Sequence, residues 1–268
     1  MTASEGFFTR VFGLEGQVAV VAGGAGRIGS VLSSALAEAG AKVCILDLAE
    51  EAAGALAARL TTAGRSAVAV RADAGRKPEL ECALAGIVAR LGPPTILVNS
   101  TQFRGKGFYS SDVCDYPQDA WESVLGANLT SVLLTCQVFG GAMIAHGGGT
   151  IVNLSSTYGV VSADPRIYGA SGINSPVSYA ASKAAVINLT RYLAIHWRDK
   201  NVRVNCLVPG GVYDRQDEGF VREYCARTPL GRMAKAEDYV GAVLLMVSPA
   251  SAYMTGSVVT VDGGWTAW

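Results

Sequence analysis

Histidine is almost missing from this chain, with two in 268 residues. Six cysteines are present, Cys44, Cys82, Cys114, Cys136, Cys206 and Cys225, and no two of them form a CxxC pair. That leaves no ligand set with metal spacing, so no metal site is expected. Charge is scarce as well. Only 16% of residues are charged, and 22 basic residues balance 22 acidic ones. No basic stripe appears, which argues against a nucleic-acid partner. No run of about 18 uninterrupted apolar residues occurs, so no membrane partner is expected. Residues 1–14 lack a basic segment leading into an apolar one, which argues against a secretory signal. Scattered cysteines in apolar contexts read as reduced thiols, and so as a cytoplasmic location. Internal repeats and linkers are also missing. One domain over residues 1–268 is expected, with 1–15 as an N-terminal extension.

Apolar residues and glycine are abundant. Half of the chain is hydrophobic and 32 residues are glycine. The apolar residues fall in short β-branched runs, Gln17–Ala22, Lys42–Leu46, Ser66–Arg71, Thr95–Val98, Thr150–Leu154, Val202–Leu207 and Ser257–Val261. Continuous runs of that length are the mark of strands buried on both faces. Helical patterns of ten residues or more separate most of them, including Ser30–Ala39, Glu50–Thr62, Pro78–Arg90, Asp119–Met143 and Glu237–Val247. Strand and helix in alternation predict an α/β fold, a three-layer, doubly wound, Rossmann-like parallel sheet of about seven strands. The segment Tyr213–Arg232 is mixed and polar, with no element assigned to it.

The first strand runs into Gly23-Gly24-Ala25-Gly26-Arg27-Ile28-Gly29 and then a helix. In that context glycines let backbone approach a pyrophosphate, and the helix N-terminus offers unpaired N–H groups. The second strand ends at Asp47, 18 residues after Gly29. A carboxylate there accepts from ribose hydroxyls and repels a 2′-phosphate, which favours NAD over NADP. Arg27 pulls the other way, as a cation at the phosphate turn. Tyr179 and Lys183 stand four residues apart in an Ala-rich helical stretch, one turn apart on one face. An ammonium beside a phenol favours the phenolate. A downward shift of about three units, roughly 4 kcal/mol, would make Tyr179 a usable general acid/base at neutral pH.

These features, in this order, resemble the short-chain dehydrogenase/reductases. The resemblance runs from Gly16 to Trp265 and adds Asp73, Asn99, Asn128, Ser156, Pro209-Gly210 and Val261-Asp262-Gly263-Gly264 to the residues above. It implies an NAD-dependent oxidoreductase that moves a hydride between the cofactor and a secondary alcohol or ketone. Tyr179 would be the acid/base, Lys183 its electrostatic partner and ribose ligand, Ser156 the holder of the substrate oxygen, and Asn128 a water ligand. Gly23, Arg27, Ile28 and Gly29 would line the pyrophosphate and Asp47 the adenosine ribose. Asp73 and Ala74 would frame the adenine, Asn99 the central cofactor region, and Pro209 and Val212 the nicotinamide. Without the resemblance, Ser155 is as good a hydroxyl as Ser156.

The chain departs from the family pattern at Ala22, Arg27, Ser100-Thr101-Gln102 and Asp214, and in the 23-residue spacing of Ser156 and Tyr179. The extra residues fall between Gly159 and Pro176. Polar side chains there and in two other loops (Asp164, Arg166, Tyr168 and Asn174; Arg104, Lys106 and Tyr109; Tyr213, Asp214, Arg215 and Gln216) point to a polar, sugar-like or sugar-acid substrate. Reduction of less polar ketones or 3-oxoacyl compounds is the alternative, and a non-catalytic NAD-binding subunit is one of another class. Apolar helix faces at Leu125–Phe139 and Val186–Trp197 predict a homo-oligomer, and the resemblance implies a tetramer or dimer. Trp265 and Trp268 are expected at a subunit contact or over the rim of the active site.

Overall fold

The computed structural model describes residues 6–102, 112–169 and 174–268. Arg104, Lys106 and Tyr109 lie outside the described residues. Seven strands form one sheet: β1 Val18–Ala22, β2 Lys42–Asp47, β3 Ala67–Arg71, β4 Ile96–Asn99, β5 Gly149–Leu154, β6 Val202–Pro209 and β7 Val258–Val261. All neighbouring pairs are parallel, in the order β3-β2-β1-β4-β5-β6-β7. Every residue of β1 is buried, as a central strand covered by helices on both sides must be. The helices are α1 Phe7–Phe12, α2 Arg27–Glu38, α3 Glu50–Thr62, α4 Lys77–Leu91, α5 Gln118–Ala145, α6 Val177–His196, α7 Glu218–Arg227 and α8 Val240–Val247.

The pleat divides β1 between two cores. Val18, Val20 and Ala22 meet Leu80 and Ile87 of α4, Phe139 of α5 and Val186 of α6. Ala19 and Val21 meet Leu32 and Leu36 of α2, Leu56 of α3 and Val243 of α8. Each large aliphatic side chain fully buried this way contributes about 1.5–3 kcal/mol. The two apolar layers hold the strand ends in fixed register, and the cleft described below opens at those ends.

Two elements differ from the sequence-based expectation. The helix expected at Asp119–Met143 spans Gln118–Ala145 and contains two π-helical turns, Gly126–Thr130 and Cys136–Gly140. By length and composition this helix would suffice to cross a membrane, but half of its most apolar window is buried, with Val132, Cys136 and Phe139 packed into the core. The polar segment Tyr213–Arg232 contains α7, which Asp217 caps by accepting from the Phe220 N–H at 3.1 Å.

Candidate active site

The strand order reverses between β1 and β4, so the loops leaving their carboxyl ends part and open a crevice. A cleft of about 670 Å³ lies there. Asp47, Asp73 and Ala74 line one end, Gly23, Arg27 and Ile28 the middle, and Ser156, Tyr179 and Lys183 the other end beside Pro209 and Val212.

The middle of the cleft is shaped by the glycine turn. Gly23 has φ +74°, and a Cβ there would stand 2.8 Å from the Ser100 carbonyl oxygen. Gly29 does not line the cleft; a Cβ on it would come within 2.0 Å of the Gly23 oxygen, so its bareness lets α2 close on the turn. The first turn of α2 then presents its N–H groups toward the cleft. Asp47 lies over the same turn, its carboxylate accepting from the Ala25 N–H at 2.9 Å and the Ala49 N–H at 3.0 Å. Asp73 shapes the next loop by accepting from the Gly75 N–H at 2.8 Å. Bare backbone, a helix N-terminus and a carboxylate at the end of β2 form a cradle that fits a dinucleotide.

Besides Gly29, three expected site residues have surroundings that the sequence did not show. Asn99 does not face the cleft. It is buried, donates to Asn153 at 2.8 Å and accepts from Thr135 at 2.8 Å. Register explains this, because Asn99 and Asn153 are direct partners on β4 and β5. Arg27 is not poised alone at the phosphate turn. Its guanidinium pairs with Asp214 and donates to the Tyr213 carbonyl at 3.2 Å, so two departures from the family pattern meet across the cleft. Asn128 is fully buried behind the cleft, in the first π-helical turn of α5. Such turns recur at functional sites, since the extra residue re-aims its neighbours.

At the other end, α6 carries Tyr179 and Lys183 on one face, with the Lys183 ammonium 5.8 Å from the centre of the Tyr179 ring. Lys183 is buried and donates to the Leu154 carbonyl at 3.0 Å, where β5 ends. Burial pushes its pKa down to about 8, with Cys206 acting in the opposite sense. Asn128 donates to the Ser182 hydroxyl at 3.3 Å, and Ser182 donates to the Tyr179 carbonyl at 2.8 Å, which ties the π turn to α6. The two serines also separate. Ser155 spends its proton on the Lys183 carbonyl at 2.6 Å. Ser156, which lines the cleft beside it, accepts from the Tyr158 N–H at 3.2 Å, and this leaves its own O–H to be donated.

The far wall of this end is aromatic, and most of it went unread in the sequence. Tyr158, Tyr168, Phe220 and Tyr224 line the cleft. Trp265 stacks on Tyr224 at 4.3 Å between ring centres, and the Tyr224 hydroxyl accepts from the Gly211 N–H at 2.6 Å. Trp265 packs behind Tyr224 without itself lining the cleft, while Trp268 is exposed. The only signal for this wall in the sequence was the density of aromatic residues in Tyr158, Tyr168, Phe220 and Tyr224, which carries no spatial information by itself.

A dinucleotide cradle at a switch point, joined to a Tyr–Lys pair and a free-standing serine hydroxyl, defines an oxidoreductase of the hydride-transferring class. Comparison with known proteins narrows it. A family model described as "Enoyl-(Acyl carrier protein) reductase" matches residues 23–266. The chain is 34% identical to a galactitol 2-dehydrogenase (L-tagatose-forming) of Cereibacter sphaeroides, over 97% of this chain and 99% of that one. It is 31% identical to an NAD-dependent glycerol dehydrogenase of Listeria innocua, over 97% of each. Among solved structures, a gluconate 5-dehydrogenase from Burkholderia cenocepacia in complex with NADP and tartrate superposes with a TM-score of 0.86 at 30% identity, covering 97% of this chain and 98% of that one. The chain belongs to the short-chain dehydrogenase/reductase family. It is an oxidoreductase that acts on CH–OH groups with a nicotinamide cofactor.

Proposed function

We propose that this enzyme interconverts a secondary alcohol and a ketone on a hydroxyl-rich, sugar-like substrate, with NAD(H) preferred over NADP(H). The observation that carries this reading is the convergence of Ser156, Tyr179 and Lys183 at one end of a cleft whose other end is marked by Asp47. The cofactor, when bound, supplies or takes the hydride. Gly23, Arg27, Ile28 and the N-terminus of α2 would hold its pyrophosphate, Asp47 its adenosine ribose, Asp73 and Ala74 its adenine, and Pro209 and Val212 the nicotinamide end. Tyr179 gives its phenolic proton to the carbonyl oxygen in reduction and takes it back in oxidation. Lys183 supports the phenolate by charge, and Ser156 orients the reacting oxygen with its unspent O–H. Asn128 acts through Ser182 and the backbone of α6, as a positioning residue.

Galactitol and glycerol are the substrates that the names of two relatives give, and both are polyols. Asp47 supports NAD, although the solved relative named above holds NADP. The cleft draws on residues from Gly23 to Met233, which supports one catalytic domain. Exposed Tyr192 and Ile195 on α6 support a homo-oligomer through that helix, and six free thiols support a reducing, cytoplasmic setting.

The test is to follow NADH and NADPH formation across polyols, sugar acids and simple secondary alcohols. Polyol turnover with NAD is expected. Tyr179→Phe should abolish it while NADH binding, read by fluorescence, stays within about threefold. Turnover confined to apolar ketones, or an active Tyr179→Phe, would overturn the reading.

A further inference from the structure

The insertion between Gly159 and Pro176 brings a second phenol to the substrate end. The hydroxyl oxygens of Tyr158 and Tyr168 stand 3.5 Å apart, and both side chains line the cleft that Ser156 and Tyr179 also line. Tyr158 is rooted to the reacting end, since its own N–H donates to Ser156 Oγ at 3.2 Å. Tyr168 is held from behind. Its ring lies 5.2 Å from that of Phe220, its neighbour Ile167 is fully buried, and Asp164 at the start of the same turn pairs with Arg227 of α7 at 3.2 Å. A group fixed on three sides can discriminate between substrates, because little freedom is left to lose on binding.

Charge decides what the two phenols would recognise. Among the described residues, only Arg27 and Lys183 bring positive charge to the cleft. Arg27 is engaged by Asp214, and Lys183 is buried and bonded to the Leu154 carbonyl. Burial and the neighbouring phenols hold the Tyr158 hydroxyl far above its ordinary pKa, so it stays neutral at every pH at which the enzyme works. Neutral phenols offer one donor and acceptor lone pairs, which match an alcohol better than a carboxylate.

We infer that Tyr158 and Tyr168 are specificity residues that hydrogen-bond a neutral hydroxyl of the substrate, beyond the carbon that exchanges hydride. This rests on the proposed polyol reading and narrows it to neutral polyols and their ketoses, away from sugar acids. The experiment measures kcat/KM of the full-length enzyme at saturating NAD for galactitol, glycerol, ribitol, gluconate and butan-2-ol. Tyr158→Phe and Tyr168→Phe should each lower kcat/KM for the best polyol about two- to tenfold, the range of one neutral hydrogen bond, and mainly through KM. Butan-2-ol, which has no second hydroxyl, should change less than about twofold, and Tm should hold within about 2 °C. Unchanged polyol kinetics in both variants, or an equal loss on butan-2-ol, would overturn the inference. So would a parent enzyme that prefers gluconate to every neutral polyol. In those cases the hydride-transfer reading stands; a parent enzyme that turns over butan-2-ol and no polyol overturns both.

Discussion

Lys183→Met should make the cofactor-free protein more stable at pH 7 while destroying most of its activity. Lys183 is 4% exposed, and burial lowers its pKa from 10.5 to about 8. The folded state therefore binds this proton more weakly than the unfolded chain does. A difference of about 2.5 units at 1.36 kcal/mol each is about 3 kcal/mol. The sign follows directly. Between pH 8 and pH 10.5 the unfolded chain holds more protons, so the parent gains stability as pH rises through that window and carries the full penalty below it. Methionine fills similar volume without the charge, but it strands the Leu154 carbonyl that Lys183 caps at 3.0 Å, at a cost of about 1 kcal/mol. The net gain expected at pH 7 is about 2 kcal/mol, shrinking to nearly nothing at pH 10. The assay is urea unfolding of parent and variant without cofactor, at both pH values and one fixed protein concentration. A stability difference that is the same at pH 7 and pH 10 would refute the reasoning, whatever its sign, since only a group titrating between them produces the change.

Three further outcomes follow from the cofactor side of the cleft. Asp47→Ser should lower kcat/KM for NAD about tenfold and raise it for NADP, read by coupled kinetics with each cofactor; an unchanged ratio would remove Asp47 from the ribose. Gly29→Ala places a Cβ within 2.0 Å of the Gly23 oxygen, so thermal unfolding should show a loss of about 2 kcal/mol or more and NADH binding should weaken with it. Asp214→Asn releases Arg27 from a pair whose side chains are each 40% exposed, so stability should move by under about 1 kcal/mol. The freed guanidinium should meanwhile lower KM for both cofactors, and the drop should fade as salt is added.

The layered fold was legible because its strands are short, mostly apolar and β-branched runs, each ended by glycine or a polar residue. The cradle was legible for the same reason, since Gly23 to Gly29 and Asp47 lie within one strand-helix-strand unit. What escaped was whatever depends on contacts distant in sequence. Asn99 reads as a cleft residue until its register partner on β5 is known. The π turns of α5 leave no trace, because a slip of one residue changes no hydrophobic pattern. The helix α7 escaped because only Tyr224 of its ten residues is buried, so no apolar stripe marks it. Arg27 and Asp214, each noted as a departure, are 187 positions apart, and nothing in either stretch announces the other.

The stack of rings from Tyr168 through Phe220 and Tyr224 to Trp265 has a consequence for how this enzyme can change. It threads the mid-chain insertion, a surface helix and the segment after β7 into one column, with the cleft at its head. A change at Trp265 can then reach the cleft through Tyr224 as readily as a change in the insertion reaches it through Tyr168. A substitution at Trp265 is, for this protein, a change made to the support of the cleft's aromatic wall.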